Sequence, residues 1–480
     1  MPVRTRSSAK ELKKPKIEKE VESVEDESVE DESYNKKSLF ADSDGDDNSQ
    51  SELSDNEEDL DLTDAPLIDD FGDEELSSSD NEDDDDTLSF EDKAKLYAKR
   101  VKAVQEDAAA EIQEVSIANI NIFPDNETEA LSDRTVINER IQAILHVLSE
   151  FSSRKSPDKS RSDYLERLTV DLAVFYEFLP NLITKFLRLF SPHELLTYLE
   201  QVEAPRPIVI RTNTLKTRRK DLAKALITRG VNLEPIQWSS VGLIVFDSQV
   251  PIGATPEYLG GLYMIQSASS FLPVMALDPK PNESILDMCS APGGKTTFIS
   301  QLMKNTGFVV ANDVSVDRTK GLIANIHRLG VTNTVVVNYD GRKLDQKLGV
   351  FDRVLLDAPC SGLGVIDKDP SVKLSRTDDD IKKTTHLQKE LLRTAISLTK
   401  SGGTIVYSTC SITLEENEEV IDYALSSCPV SIVDTGIEFG EPGIYVNGSK
   451  VLNKKVTLCR RFYPHVHNIH GFFVCKLRKH

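Results

Sequence analysis

Asp287-Met-Cys-Ser-Ala-Pro-Gly-Gly-Lys-Thr296 is the stretch from which the fold of this 480-residue chain is read. Ser284-Ile-Leu-Asp-Met288, which runs into it, has the short apolar character of a buried strand. Thr297-Phe-Ile-Ser-Gln-Leu-Met303, which leaves it, reads as a helix. A strand that ends in a glycine-bearing turn and opens a helix is a way to build a nucleotide or cofactor pocket. The paired glycines let the backbone approach a ligand closely, and the helix N-terminus favours a negative group. Gly294-Lys-Thr296 also imitates the end of a phosphate-binding P-loop. That loop needs a glycine five residues before Gly294, where this chain has Cys289, so a P-loop is excluded on spacing.

Downstream of the turn, strand and helix patterns alternate. Strands are expected at Ser284 to Met288, Gly307 to Asp313, Thr334 to Asn338, Phe351 to Asp357, Gly403 to Ser408, Val430 to Val433 and Gly471 to Leu477. Helices are expected at Thr296 to Lys304, Val316 to Leu329, His386 to Lys400 and Glu415 to Ser426. The alternation predicts an α/β, Rossmann-like domain over residues 262–480 with a mostly parallel, seven-stranded, doubly wound sheet. Such sheets bind ligands beyond the carboxyl ends of their strands. Those ends bear Asp287 with the Cys289 to Lys295 turn, then Asp313, Asp340, Asp357 with Cys360, and Cys410. Asp313 follows Asp287 by 26 residues, close to where a dinucleotide-type fold places an acid on ribose hydroxyls.

The formal charge of -22 is carried by one end of the chain. Residues 1–90 hold 9 Lys and Arg against 32 Asp and Glu, whereas the other 390 hold 48 against 47. The acidity is a tail property and leaves a nucleic-acid substrate open to the folded part. The tail, serine-rich and poor in apolar residues, is expected to be disordered, with a basic cluster at Lys10 to Lys19 that suits nuclear import. No signal-peptide pattern opens the chain and no apolar run approaches the roughly eighteen residues of a membrane span, which predicts no membrane role and a reducing intracellular setting. Residues 91–203 carry helical periodicity, including Leu96 to Val104, Arg140 to Glu150 and Tyr164 to Phe178. Residues 204–261 read as a small α/β unit: strands at Pro207 to Asn213 and Gly242 to Phe246, with a basic helix at Arg218 to Thr228. Arg211, Asn213 and Lys216, with Arg218, Arg219 and Lys220 beside them, suit a phosphate-contacting surface.

All six cysteines lie between Cys289 and Cys475, and no Cys-x-x-Cys pair is present, which argues against a zinc ribbon and predicts no metal site. Asp357-Ala-Pro-Cys-Ser-Gly362 and Ser408-Thr-Cys-Ser411 each place a thiol just after an expected strand, at the cofactor edge. Methylation at carbon 5 of a pyrimidine gives a reason for such thiols. That carbon is a weak nucleophile until a thiolate adds at carbon 6 and makes the ring an enamine. After methylation the carbon-5 proton must leave and the thiolate must be expelled. A free thiol, with a pKa of about 8.5, is mostly protonated at neutral pH, so the site must favour the thiolate. Asp357 is placed to bond the pyrimidine edge and to stabilise the protonated ring.

The motifs Asp287 to Thr296, Leu356-Asp-Ala-Pro-Cys-Ser-Gly362, Lys368-Asp-Pro-Ser-Val-Lys373 and Tyr407-Ser-Thr-Cys-Ser411 resemble the signatures of the Nol/Nop/Sun family of S-adenosylmethionine-dependent RNA cytosine-5 methyltransferases. Arg460-Arg-Phe-Tyr-Pro-His-Val-His-Asn468, Gly471-Phe-Phe-Val474 and Ala324 to Asn333 resemble its nucleolar proliferation-antigen branch. The resemblance spans about Pro205 to Leu477. It implies Cys410 as nucleophile, Cys360 as the group that assists release, and Asp357 orienting the base. It implies S-adenosylmethionine held by Cys289, Ser290, Ala291, Pro292, Gly293, Gly294 and Lys295, with Asp313, Asp340 and Asp357. It adds Lys373 to Arg211, Asn213 and Lys216 as RNA contacts. The spacing alone leaves the roles of Cys360 and Cys410 interchangeable. Departures are small: Ser290 stands where alanine is common, Leu363 where threonine is, and His470 where Asp is usual. The expected function is methylation of cytosine carbon 5 in large-subunit rRNA, by a nuclear and nucleolar protein that is a monomer within pre-ribosomal particles. The alternative is an RNA-binding assembly scaffold whose essential role is independent of catalysis.

Overall fold

The computed structural model describes residues 120–124, 133–345, 348–448 and 450–480. The acidic tail, its basic cluster and the helix expected at Leu96 to Val104 lie outside these residues. The longer helices that come first among the described residues are α1 (Arg134–Ser149), α2 (Arg161–Phe175), α3 (Pro180–Phe186) and α4 (Pro192–Val202). Their starts are written in the sequence. Asp133 accepts from Thr135 N, Ser160 and Asp163 form a reciprocal capping box, and Ser191 accepts from Glu194 N ahead of Pro192. Ile141, Leu168, Leu172, Phe186 and Leu195 bury one shared core. That core also takes in Leu363, Ile366, Ile412 and Tyr463 from the α/β part. The helical region is therefore a buttress behind the loops that carry the two thiols.

Next come β1 (Ile208–Thr212), α5 (Arg219–Thr228), β2 (Val231–Pro235), β3 (Gly242–Ser248) and β4 (Tyr263–Ile265). They form an antiparallel sheet in the order β2-β3-β1-β4. β2 and β4 are additions to the strands expected from sequence. Val231-Asn-Leu-Glu-Pro235 is too polar to announce itself, and β4 lies just beyond residue 261.

The remainder runs α6 (Leu272–Leu277), β5 (Ser284–Asp287), α7 (Gly294–Leu302), β6 (Phe308–Asn312), α8 (Val316–Leu329), β7 (Thr334–Val337), β8 (Phe351–Asp357), α9 (Asp378–Leu398), β9 (Thr399–Thr409), α10 (Glu418–Ser427), β10 (Val430–Val433) and β11 (Glu441–Pro442). A hairpin of β12 (Val446–Asn447) and β13 (Lys450–Val451), then β14 (Arg460–Phe462) and β15 (Phe472–Lys479), complete it. The main sheet has the order β11-β14-β15-β9-β8-β5-β6-β7, with β10 also on β15. From β9 to β7 every pairing is parallel, and β15 enters antiparallel to β9. The sheet is α/β and mostly parallel at its centre. It has nine strands rather than seven, because β11 and β14, of two and three residues, were too short to leave a pattern. α9 starts at Asp378, eight residues ahead of the expected His386. Thr377 and Asp380 form a capping box, and three acids in the first turn suit the helix dipole.

β5 has β6 on one side and β8 on the other, so the crossovers diverge there. The crevice of a doubly wound sheet opens beyond that point.

Candidate active site

The turn after β5 is held from three sides. Thr296 Oγ1 donates to Asp287 Oδ2 at 2.7 Å, tying the start of α7 back to the strand. Ser290 donates both N and Oγ to Asn312 O, at 2.8 and 2.9 Å. Arg318 Nη2 reaches Ala291 O at 2.8 Å. Gly293 sits at φ +99°, and a Cβ there would lie 2.8 Å from Leu322 Cδ1, so glycine is required on both backbone and packing grounds.

Around the turn stand the acids of neighbouring strand ends. Asp313, after β6, accepts from Ala291 N at 3.1 Å and from Ser315 N at 3.0 Å. Asp340, after β7, is held by Arg342 at 2.8 Å, a bond that keeps its carboxyl below the usual range. Asp357, at the end of β8, accepts from Lys295 Nζ at 2.6 Å and from Ser408 Oγ at 2.7 Å. Asn312, which the sequence reading passed over, donates to Met288 O and Tyr339 O and accepts from Tyr339 N. It thereby locks the ends of three strands together.

Asp287 is fully buried, and its Oδ1 has no hydrogen-bond partner among the described residues. Burial, reinforced by Asp357 and Asp313, pushes its pKa up to about 7. The folded pKa lies above the unfolded one, so the fold binds an extra proton between about pH 4 and pH 7 and loses stability as pH rises through that window. In the ligand-free protein, Asp287→Asn should therefore gain stability over the parent as pH increases, with the gap levelling off above about pH 7. Thermal melts at a series of pH values check this, and a pH-independent gap contradicts it.

The two thiols meet. Cys360, after β8, and Cys410, after β9, place their sulfurs 2.7 Å apart as free cysteines. The contact with Cys410, together with burial, holds the Cys360 thiol well above its ordinary range. Beneath Cys360 lies Glu416, fully buried, which the sequence reading did not single out. It accepts from Ser361 N at 2.8 Å, Ser361 Oγ at 2.5 Å, Thr413 Oγ1 at 3.0 Å and Gln388 Nε2 at 3.2 Å. One carboxylate thus braces both thiol-bearing loops. Behind it Glu418 pairs with Arg461 through two bonds of 2.5 and 2.6 Å, both side chains buried, and Arg461 Nη1 also donates to Ile412 O at 2.8 Å. Removing one partner leaves an uncompensated buried charge. Glu418→Ala should lower unfolding stability by about 3–5 kcal/mol in denaturant titrations.

Residues 274–478 match the family model for the 16S rRNA methyltransferase RsmB/F, and residues 179–268 match that for the N-terminal domain of RsmF. A solved methyltransferase homologue from Pyrococcus horikoshii is 37% identical with a TM-score of 0.60, over 65% of this chain and 99% of its own. The chain belongs to the RsmB/F family of RNA methyltransferases. Other family members include the tRNA (cytosine(49)-C(5))-methyltransferase of Pyrococcus abyssi, 40% identical over 62% of this chain and 96% of its own. The 28S rRNA (cytosine-C(5))-methyltransferase of Mus musculus is 55% identical over 72% of this chain. The chain spans 44% of that mouse relative's length.

The family depends on S-adenosylmethionine, and the donor set here fits that cofactor. A buried carboxylate oxygen without a hydrogen-bond partner among the described residues, Asp287 Oδ1, lies among acids suited to the cationic amino-acid end. Asp313 and Asp340, at the ends of the next two strands, offer carboxylates of the kind that vicinal ribose hydroxyls take.

The RNA contacts expected at Arg211, Asn213 and Lys373 do not agree with their placement. Arg211 is buried against Phe298 and donates to Gln266 Oε1, Gly294 O and, at 2.9 Å, Thr297 Oγ1. Asn213 is buried too and donates to Gly261 O and Leu329 O. Lys373 is buried against Glu203 at 2.6 Å. Lys216 is exposed, but its amine is spent on Gly260 O and Arg328 O. Most of these polar side chains join the small sheet and the helical region to the RsmB/F catalytic part, and a cation-rich string in sequence cannot show which way its side chains point. His465, His467 and His470 diverge: His465 meets Glu194, His467 accepts from Tyr463 N, and His470 meets Asp367.

Proposed function

We propose that this chain transfers a methyl group to carbon 5 of a cytosine in large-subunit rRNA through a covalent cysteine–base intermediate. The observation that carries this reading is the pair of free thiols at the ends of adjacent parallel strands, beside a cofactor turn. The 28S rRNA (cytosine-C(5))-methyltransferase activity of the 55% identical mouse relative supports the choice of RNA. When bound, S-adenosylmethionine supplies an electrophilic methyl group.

The chain's own residues do the rest. Cys410 adds as thiolate to carbon 6, forming a carbon–sulfur bond and shifting the ring electrons to carbon 5, the nucleophile that would take the methyl group as its bond to the cofactor's sulfonium sulfur breaks. Asp357, fixed by Lys295 and Ser408, faces the ring edge and stabilises the charge that develops on addition. Cys360 serves release: having lost its own proton to solvent, it takes the carbon-5 proton as thiolate, the carbon–hydrogen electrons restore the double bond, and the carbon–sulfur electrons return to Cys410. Glu416 holds both loops so that the thiols converge on one ring. The base must be unpaired or extruded to present its face. The setting proposed with this activity is nucleolar, with the protein a monomer among pre-ribosomal proteins.

Bisulfite mapping of rRNA after depletion tests the reading. One large-subunit cytosine should lose protection and regain it with the parent chain. An unchanged methylation map in large-subunit rRNA contradicts it.

A further inference from the structure

Between the small sheet and the α/β domain lies a cleft of about 420 Å3, within the size range that holds a small ligand. One wall belongs to the small sheet and is apolar, formed by Ile208, Ile244, Phe246 and Ile265 with Trp238 beside them. Phe246 is 54% exposed and Ile208 47%. Scattered exposed apolar residues mean little, but a set that lines one concavity marks a binding surface. The opposite wall is polar. Lys368 Nζ lies 2.5 Å from Ser267 Oγ, and His470 Nε2 lies 3.0 Å from Asp367 Oδ2.

This cleft adjoins the thiols. Gly471, next after His470, donates to Gly364 O at 2.8 Å, and Gly364 donates to Cys410 O at 2.8 Å. No Cβ fits between them, since one on Gly364 would lie 2.2 Å from Gly471 O. Val209, Trp238, Ile244 and Cys410 pack against one and the same buried cluster. The cleft and Cys410 are thus tied through Gly471, Gly364 and the same buried cluster.

We propose that the cleft is a second nucleotide subsite, which takes an unpaired base neighbouring the target cytosine on the same RNA strand. The proposal rests on the RNA-methylating function above. An aromatic and aliphatic wall suits the face of any base, and stacking on such walls binds single strands with little sequence preference. Arg206 and Lys368, which also line the cleft, oppose the charge of the adjoining phosphates. Arg206 is fixed there by Asn468 Oδ1 and Gln201 O, and Lys368 by Ser267 Oγ. Filling the cleft would hold the strand on both sides of the extruded cytosine.

Trp238 is the sole tryptophan of the chain, so its emission reports on this cleft alone. The test titrates the full chain with a short, end-labelled, single-stranded RNA containing one cytosine, reading Trp238 emission and RNA anisotropy together. RNA binding should quench Trp238 saturably. Replacing both Ile208→Ser and Phe246→Ser, at exposed positions, should weaken binding roughly tenfold, the equivalent of one lost stacked base. Making one cytosine-flanking position abasic should weaken the parent by a similar factor and leave the double variant unaffected. RNA that binds without changing Trp238 emission overturns the proposal and assigns the wall to a protein segment. An abasic penalty equal in parent and variant overturns it as well. Methyl transfer on the same RNA is scored separately: transfer without quenching rejects the subsite alone, whereas quenching without transfer supports the subsite and rejects the activity it was built on.

Discussion

Cys410→Ala should abolish methyl transfer. With no thiolate to add at carbon 6, carbon 5 stays too weak a nucleophile to take the methyl group. Deleting a nucleophile typically costs on the order of 10^4-fold or more in turnover. The loss should fall on turnover and leave folding intact, because Cys410 is only partly buried and the loop around it is held independently. Asn417 bonds Thr409 and Ser411, and Arg461 bonds Ile412 O and Glu418. A methyl-transfer assay with labelled cofactor, beside a thermal melt, separates the two effects. Residual transfer within about tenfold of the parent would exclude Cys410 as the nucleophile.

Cys360→Ala should behave differently. Addition and methyl transfer proceed through Cys410, but the carbon-5 proton has no base to take it, and the enzyme is held on its RNA. Loss of such a base typically costs about 10^2–10^4-fold in turnover. The distinguishing outcome is a protein–RNA species that survives denaturant, accumulating with Cys360→Ala and absent from Cys410→Ala and from the double variant. The geometry explains why both thiols are needed within reach of one ring. The Cys410 contact and burial raise the Cys360 thiol in the resting site, so it acts as a base only after Cys410 has bonded to carbon 6 and Cys360 has given up its own proton to solvent. Should the trapped species form only with Cys410→Ala, the two roles are exchanged.

The path from sequence to site was legible where chemistry demanded particular residue types at strand ends. Asp287, Asp313, Asp340, Asp357, Cys360 and Cys410 all follow parallel strands in the structure, because a doubly wound sheet gathers its carboxyl ends on one edge. The strands β5 to β9 were legible for a related reason: buried parallel strands read as continuous apolar runs. Three kinds of feature were not. Short strands are fixed by pairing rather than by their own composition: β14 pairs with β15, and β11, at the edge, pairs with β14. Supporting residues such as Glu416 and Asn312 look like ordinary polar residues until the fold buries them. Glu416 sits in a run of acids that would suit an exposed helix start. The direction of the cations near Arg211 was misjudged for the converse reason. A basic cluster suggests a solvated face, yet Arg211 turns inward under the cofactor turn, where backbone carbonyls and side-chain oxygens meet its guanidinium. Local composition records what a residue can do, while burial decides to which partner it is offered.

The proposed mechanism requires Cys410 to become covalently bonded to a methylated cytosine. The most direct measurement is mass spectrometry of the nuclease-trimmed, protease-digested adduct from the Cys360→Ala protein incubated with target RNA and S-adenosylmethionine. The expected product is a cytosine nucleotide carrying the added methyl group on the peptide that contains Cys410. An adduct on any other residue, or a Cys360→Ala protein that turns over without trapping RNA, would contradict the mechanism.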